Sequence, residues 1–422
     1  DTTTPQYVYN ESSLTGVANL PNAMTGIVDE AGVRYANTTY DSTGRATSSS
    51  FAGSVGTTGI TYNSDGTSTV QYPLGHSATM GFTTVSGLIR VSTLDQPCGT
   101  ECNQPWKTRA YDANSYPSVY TDFNGNITTS TYDANGLLNQ QVEASGSPNQ
   151  RTTNTTWDTT LRVPLQSTVT NASGTPVAQT AWVYNTLGQP LARCEIDPAQ
   201  ASSYTCATTG TPPAGVRRWT YSYCTAVDTT QCPIVGLLLA VDGPRTEVAD
   251  VTTYAYYLTD STTAHHGDLQ SVKDALGHTT TVLTYDGAGR VTRLQDANGV
   301  VTNLTYTPRG WLASRNVGGA TTTLSYTPYG AVASITDPDG IATSYTYDAA
   351  HRLTDITDAQ GNVIHYTLDA AGNKTAEQIR TASGTVVHSL TRTYNTLGQL
   401  TALVDGLSQT VFNAGTSGSY DA

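Results

Sequence analysis

The residues of this sequence able to do chemistry fall into three groups. Six cysteines form close pairs: Cys98 with Cys102, Cys194 with Cys206, and Cys224 with Cys232. A zinc site would need thiolates and imidazoles at ligand spacing, but no Cys-x-x-Cys occurs and the histidines lie elsewhere. Disulfides suit an even count in a chain of extracellular composition, and nearest-neighbour pairing closes the shortest loops, although six cysteines allow other connectivities. The second group is aspartate. Asp337 with Asp339, or Asp286 with Asp296, could converge on calcium, but that ion takes roughly six to eight oxygens and these segments offer one or two carboxylates each. Turn capping explains them better. The third group is His265, His266 and Asp268, which lie between Thr-rich and Gly-rich residues with no matching partner motif and read as an exposed loop.

No Gly-x-Ser-x-Gly, His-Glu-x-x-His or phosphate-cradling glycine loop is present. Nothing nominates two acids as a glycosidase pair. The expectation is therefore a protein without cofactor, metal or catalytic residues, not an enzyme. With 20 Lys and Arg against 33 Asp and Glu, the net charge is −13, which opposes a nucleic-acid or anionic-membrane partner. No apolar run approaches a membrane span; the longest, Ile234 to Val241, is interrupted by Gly236. Charged residues make up only 13%, about half the usual share, so neutral, hydroxyl-rich strand faces are expected. The 26 tyrosines outnumber 4 phenylalanines, which suits rings that pack while their hydroxyls find a polar partner.

The elements that position these residues repeat. Tyr285, Tyr306, Tyr326, Tyr347 and Leu368 stand 21, 20, 21 and 21 residues apart, the period of stacked supersecondary units. Each unit opens with a turn such as Asp286 to Gly289 and carries a second about ten residues later, as at Asp296 to Gly299 or Asp337 to Gly340. Runs of Thr, Val, Ile, Leu and Tyr between them read as strands. Ile341, Thr343, Tyr345 and Tyr347 alternate onto one face, predicted to be buried. In the following strand Leu353 and Ile356 have opposite parity, so either both faces are partly covered or a bulge shifts the register.

Tyr285-Asp286-Gly287-Ala288-Gly289-Arg290-Val291 and Asp358-Ala359-Gln360-Gly361-Asn362 resemble the YD repeat of Rhs proteins, shared with the B and C components of Tc toxins and with teneurins. Departures are His351 for the first glycine of one unit, Leu368 for a tyrosine, and Thr-Pro after Tyr306 and Tyr326. The resemblance implies an all-β fold: a YD-repeat hairpin meander, one long antiparallel sheet spiralling into a hollow shell or barrel. In relatives that shell encloses a toxic C-terminal polypeptide.

Along the chain, Tyr40, Tyr62, Tyr111, Tyr132 and Tyr394 are further anchors, and Trp157-Asp158 stands where Tyr-Asp would. Residues 1–184 read as a repeat segment, irregular at 73–110, and residues 185–268 as a Cys-containing irregular insertion. Residues 269–422 read as a regular repeat segment truncated at its end, because Tyr420-Asp421-Ala422 looks like the start of another unit. A chain beginning at Asp1 reads as part of something longer. The structural anchors are Tyr285, Tyr306, Tyr326, Tyr347 and Tyr394. The expected role is the shell segment of a bacterial secreted or surface protein whose partner is polypeptide cargo or the rest of its own longer chain. The alternative is an adhesin or filament subunit that binds partner strands or glycans and self-associates through sheet edges. A weaker third reading is a polysaccharide-acting enzyme lodged in the irregular segment.

Overall fold

The computed structural model describes residues 4–16, 18–97, 106–395 and 398–414. Among them, 33 strands form a single sheet in which every strand pairs antiparallel with the next in sequence. The first and last strands do not pair with each other, so the sheet is an all-β ribbon that is not closed. Helix among the described residues is confined to two 3-10 turns and the four-residue Pro198–Ala201. No helix is long and apolar enough to cross a membrane.

Both turn types of the repeat are built alike. At the first, the Asp286 amide donates to the Arg290 carbonyl (2.9 Å) and the Gly289 amide to the Asp286 carbonyl (3.0 Å). Asp296, Val300 and Gly299 repeat this at 3.0 Å. Gly289 has φ 75°, a left-handed conformation that costs glycine little and other residues more.

The parity problem is resolved by a bulge. Tyr306 pairs with Leu312 but Thr305 with Ser314, leaving Ala313 as an extra residue. Tyr347 pairs with Leu353 and Thr346 with Asp355, so Thr354 is extra there. One inserted residue returns Leu353 and Ile356 to a common face and bends the strand.

The tyrosine face is half-buried. In Ala342–Tyr347, partly covered Thr343, Tyr345 and Tyr347 alternate with exposed Ala342, Ser344 and Thr346. Ile341, expected on the covered face, is 49% exposed because it closes a turn at the strand's end. The opposite face carries hydroxyl pairs: Thr305 with Ser314 (2.6 Å), Ser325 with Ser334 (2.7 Å) and Thr393 with Thr401 (3.0 Å). A compact chain of this mass would expose roughly 15,600 Å², whereas this one exposes 22857 Å². The excess is that of a wall one sheet thick.

The wall winds back on itself. Arg309 meets Asp29 at 3.4 Å, Phe51 packs on His351 with ring centres 4.7 Å apart, and the Gly56 amide donates to the Ala349 carbonyl at 2.6 Å. The chain runs through 21 strands, from Arg34–Tyr40 to Val301–Tyr306, between the first pair of turns. It runs through 23, from Val55–Tyr62 to Ala342–Tyr347, between the second. At about 4.8 Å per strand one circuit is on the order of 100 Å, a ring roughly 30 Å across. The second-turn rim of the first coil therefore rests on the tyrosine-turn rim of a later one.

The sheet also runs unbroken through residues 185–268, as Pro190–Ile196, Val216–Tyr223, Leu238–Asp242 and Val251–Tyr256. The lost period reflects long connections between ordinary strands.

Candidate functional site

The anchor tyrosines do not converge on one point; they recur as rungs along one rim. Within Val291–Gln295 and Val301–Tyr306 the backbone ladder covers Gln295 with Val301, Leu294 with Thr302 and Arg293 with Asn303, then stops. Beyond it the Tyr306 hydroxyl crosses to the Val291 carbonyl at 2.7 Å. Tyr285 donates likewise to Leu269 (2.6 Å), Tyr326 to Leu312 (2.8 Å), Tyr347 to Val332 (2.7 Å) and Tyr394 to Lys374 (2.9 Å). The same bond joins Tyr40 to Met24, Tyr62 to Ala46, Tyr111 to Val91, Tyr132 to Pro117 and Tyr256 to Leu238. Trp157 occupies the anchor place and its indole N–H reaches the Leu138 carbonyl at 2.9 Å. Each rung satisfies a carbonyl that the ladder has abandoned. Burial pushes the hydroxyls of Tyr285, Tyr306, Tyr326 and Tyr347 up from their ordinary value, which keeps them protonated donors.

The aspartates serve their own turns. Oδ1 of Asp286 accepts the amides of Ala288 and Arg290, that of Asp296 those of Asn298 and Val300, and that of Asp337 those of Asp339 and Ile341. Burial disfavours the charge on Asp286, but hydrogen bonds from the Arg290 amide, the Arg290 guanidinium and the Ala288 amide outweigh it and hold the carboxyl low. In the Thr-Pro units the Thr307 hydroxyl accepts the Trp311 amide at 3.1 Å, doing the carboxylate's work without charge. Among the described residues no three His, Cys, Asp or Glu side chains gather to hold a metal.

His265 and His266 lie in an exposed loop whose acids cap backbone: the His265 amide donates to Asp268 (2.6 Å) and the His266 amide to Asp260 (3.0 Å). Disulfides join Cys194 to Cys206 and Cys224 to Cys232; Cys98 and Cys102 lie outside the described residues. The first bridge sits in a small buried cluster of Ala181, Cys194, Ile196, Ala201 and Val216. Beside it is an open groove of about 420 Å³ lined by Arg218, Asp242, Arg245 and Glu247. Burial and then the neighbouring Asp250 carboxyl push Asp242 up.

Sequence reasoning missed the rung acceptors and the meeting of the coils. The acceptors are backbone, which leaves no trace in composition. His351 and the Thr-Pro units did carry a signal: they are the places where the array departs from its own pattern, and they lie at or beside the meeting of the coils.

The RHS Repeat family profile matches residues 265–302, 285–322, 326–363 and 347–386. No curated protein matches the chain. Among solved structures it is similar to the crystal structure of TcdB2-TccC3-TEV, with a TM-score of 0.51 and 16% identity over 90% of this chain and 22% of that one. It is similar also to the crystal structure of TcdB2-TccC3, with a TM-score of 0.50 and 16% identity over 86% of this chain and 22% of that one. The chain thus spans about a fifth of the length of these structures, and the likeness is one of fold. With the family profile falling in phase on the hairpins that carry the tyrosine rungs, the chain carries RHS (YD) repeats across residues 265–322 and 326–386.

Proposed function

We propose that this chain is a wall segment of a container: part of a bacterial secreted or surface Rhs-type shell that encloses a C-terminal toxin polypeptide and helps deliver it. The observation that carries the reading is a wall one sheet thick, wound into a ring with 22857 Å² exposed. A ring roughly 30 Å across admits an extended chain or a helix about 10 Å wide. The candidate chemical groups are spent on turns, rungs and disulfides, which fits a role in holding rather than transforming.

The test is electron microscopy and limited proteolysis of the protein expressed from its whole reading frame. A hollow particle that shields a downstream polypeptide until the wall is denatured is the expected result. Filaments, or a downstream polypeptide digested at the rate of a free one, overturn it. Filaments would favour the adhesin reading, which rests on the edge strand Gln6–Tyr9. That strand is largely exposed and pairs on one side only among the described residues, an edge that can template strand addition.

A further inference from the structure

The meeting of the two coils contains a titratable group in an unusual setting. His351 takes the place that Gly289, Gly310 and Gly330 hold in neighbouring tyrosine turns, and it adopts φ 63° there. Its ring lies parallel to Tyr329, with centres 4.1 Å apart and planes 8° from parallel, and its other contact is Phe51 of the first coil. Nε2 is buried and has no hydrogen-bond partner among the described residues. Gly56, the first coil's closest backbone, is packed so tightly that an added Cβ would stand 3.1 Å from His351 Cε1. Its amide makes the 2.6 Å bond to the Ala349 carbonyl that ties the coils beside the imidazole.

The charged groups around this ring are few. On its own turn Asp348 favours protonation, but that carboxylate is engaged by the Arg352 guanidinium at 2.8 Å and by the amides of Ala350 and Arg352. Tyr329 comes from the preceding tyrosine turn and meets edge-on Tyr347, which ends the strand leading into His351's own turn. From the facing coil come Phe51 and Gly56, neither titratable. An imidazolium stacked on two aromatic rings gains some attraction from their faces. It loses more, because its buried N–H would have neither water nor an acceptor. Burial accordingly holds His351 below its ordinary value of 6.5.

We propose that this contact is a proton-operated latch, in which neutral His351 wedges the two coils together and its protonation releases the 348–352 turn from Phe51 and Gly56. A released histidine takes up a proton that the latched one refuses. Closure is therefore complete above the ordinary histidine value and weakens as pH falls through it. The latch extends the container reading by giving the wall a condition under which it opens, but its geometry and its test concern the wall alone.

The test is amide hydrogen exchange on the full 422-residue chain from about pH 7.5 to about pH 5, corrected for the intrinsic pH dependence of exchange. Peptides spanning 51–57 and 347–352 are expected to lose protection several-fold over that range while the other hairpins keep theirs. His351→Asn, which tolerates the left-handed backbone and does not titrate, should hold protection constant. Unchanged protection in the parent protein, or an equal loss in His351→Asn, overturns the proposal. Should that variant fail to fold, Phe51→Leu serves. It removes the aromatic cover and should move the midpoint of opening up towards the ordinary histidine value, and a midpoint that stays put overturns the latch. Failure of the latch leaves cargo shielding untouched, and failure of shielding leaves the pH response untouched, so the two readings fall separately.

Discussion

Between Tyr285 and Leu368 the wall is held by one hydroxyl rung per tyrosine unit and by turns that satisfy themselves, with few fully buried side chains. Between Pro190 and Asp268 the same sheet continues through long connections, and there two disulfides and a small core of Cys194, Ile196, Ala201 and Val216, joined by Ala181 of the preceding strand, carry the load. In a wall one sheet thick no element has a second layer to lean on. Short, periodic connections let every strand be stitched to its neighbour by the repeat itself. Long connections need a cross-link and a core of their own.

The largest effect should come from cutting that cross-link. Cys194→Ser with Cys206→Ser removes a bridge across 12 residues, worth about 3 kcal/mol by loop closure. Limited proteolysis should show new cleavage within 197–215 while the 285–368 array resists as before. Equal loosening of both regions would break the comparison.

Tyr306→Phe sharpens it from the other side. Removing the hydroxyl strands the Val291 carbonyl at a cost of about 1–2 kcal/mol, read as lost exchange protection confined to Val291–Gln295 and Val301–Tyr306. The acid response divides the array by turn type. Asp286 and Asp358 are held low, Asp286 as described and Asp358 chiefly by the Asn362 side chain. A carboxyl depressed in the folded state contributes stability that is present above its ordinary value near 3.8 and lost as pH falls below it. Exchange measured down that range should loosen the turns at Asp286 and Asp358 before the turn at Thr307, whose cap carries no charge. The smallest effect is a gain. Leu368 has no hydroxyl with which to make a rung, and Leu368→Tyr should raise the stability of its hairpin by about 0.5–1 kcal/mol, seen as a small increase in melting temperature.

Much of this was legible in the sequence. The period placed the strands, Asp-x-x-Gly placed the turns, and Trp157 was readable as a tyrosine surrogate whose indole makes the same bond as the phenols it replaces. The bulge was one of two answers to the parity of Leu353 and Ile356; pairing decided it. The seam was not legible, because a repeat with one period contains nothing that says after how many units the ribbon returns to itself. Arg309 and Asp29 each look ordinary in their own turns. Their meeting follows from curvature accumulated over 21 strands.

The rungs end on main-chain oxygens, and the residues supplying them include Leu269, Val291, Lys374 and Pro117. A fastener that grips only what all amino acids share is indifferent to which one it holds. Mutational drift can thus rewrite the partner strand freely while the architecture persists, and a lineage built this way outlives recognisable kinship between its members.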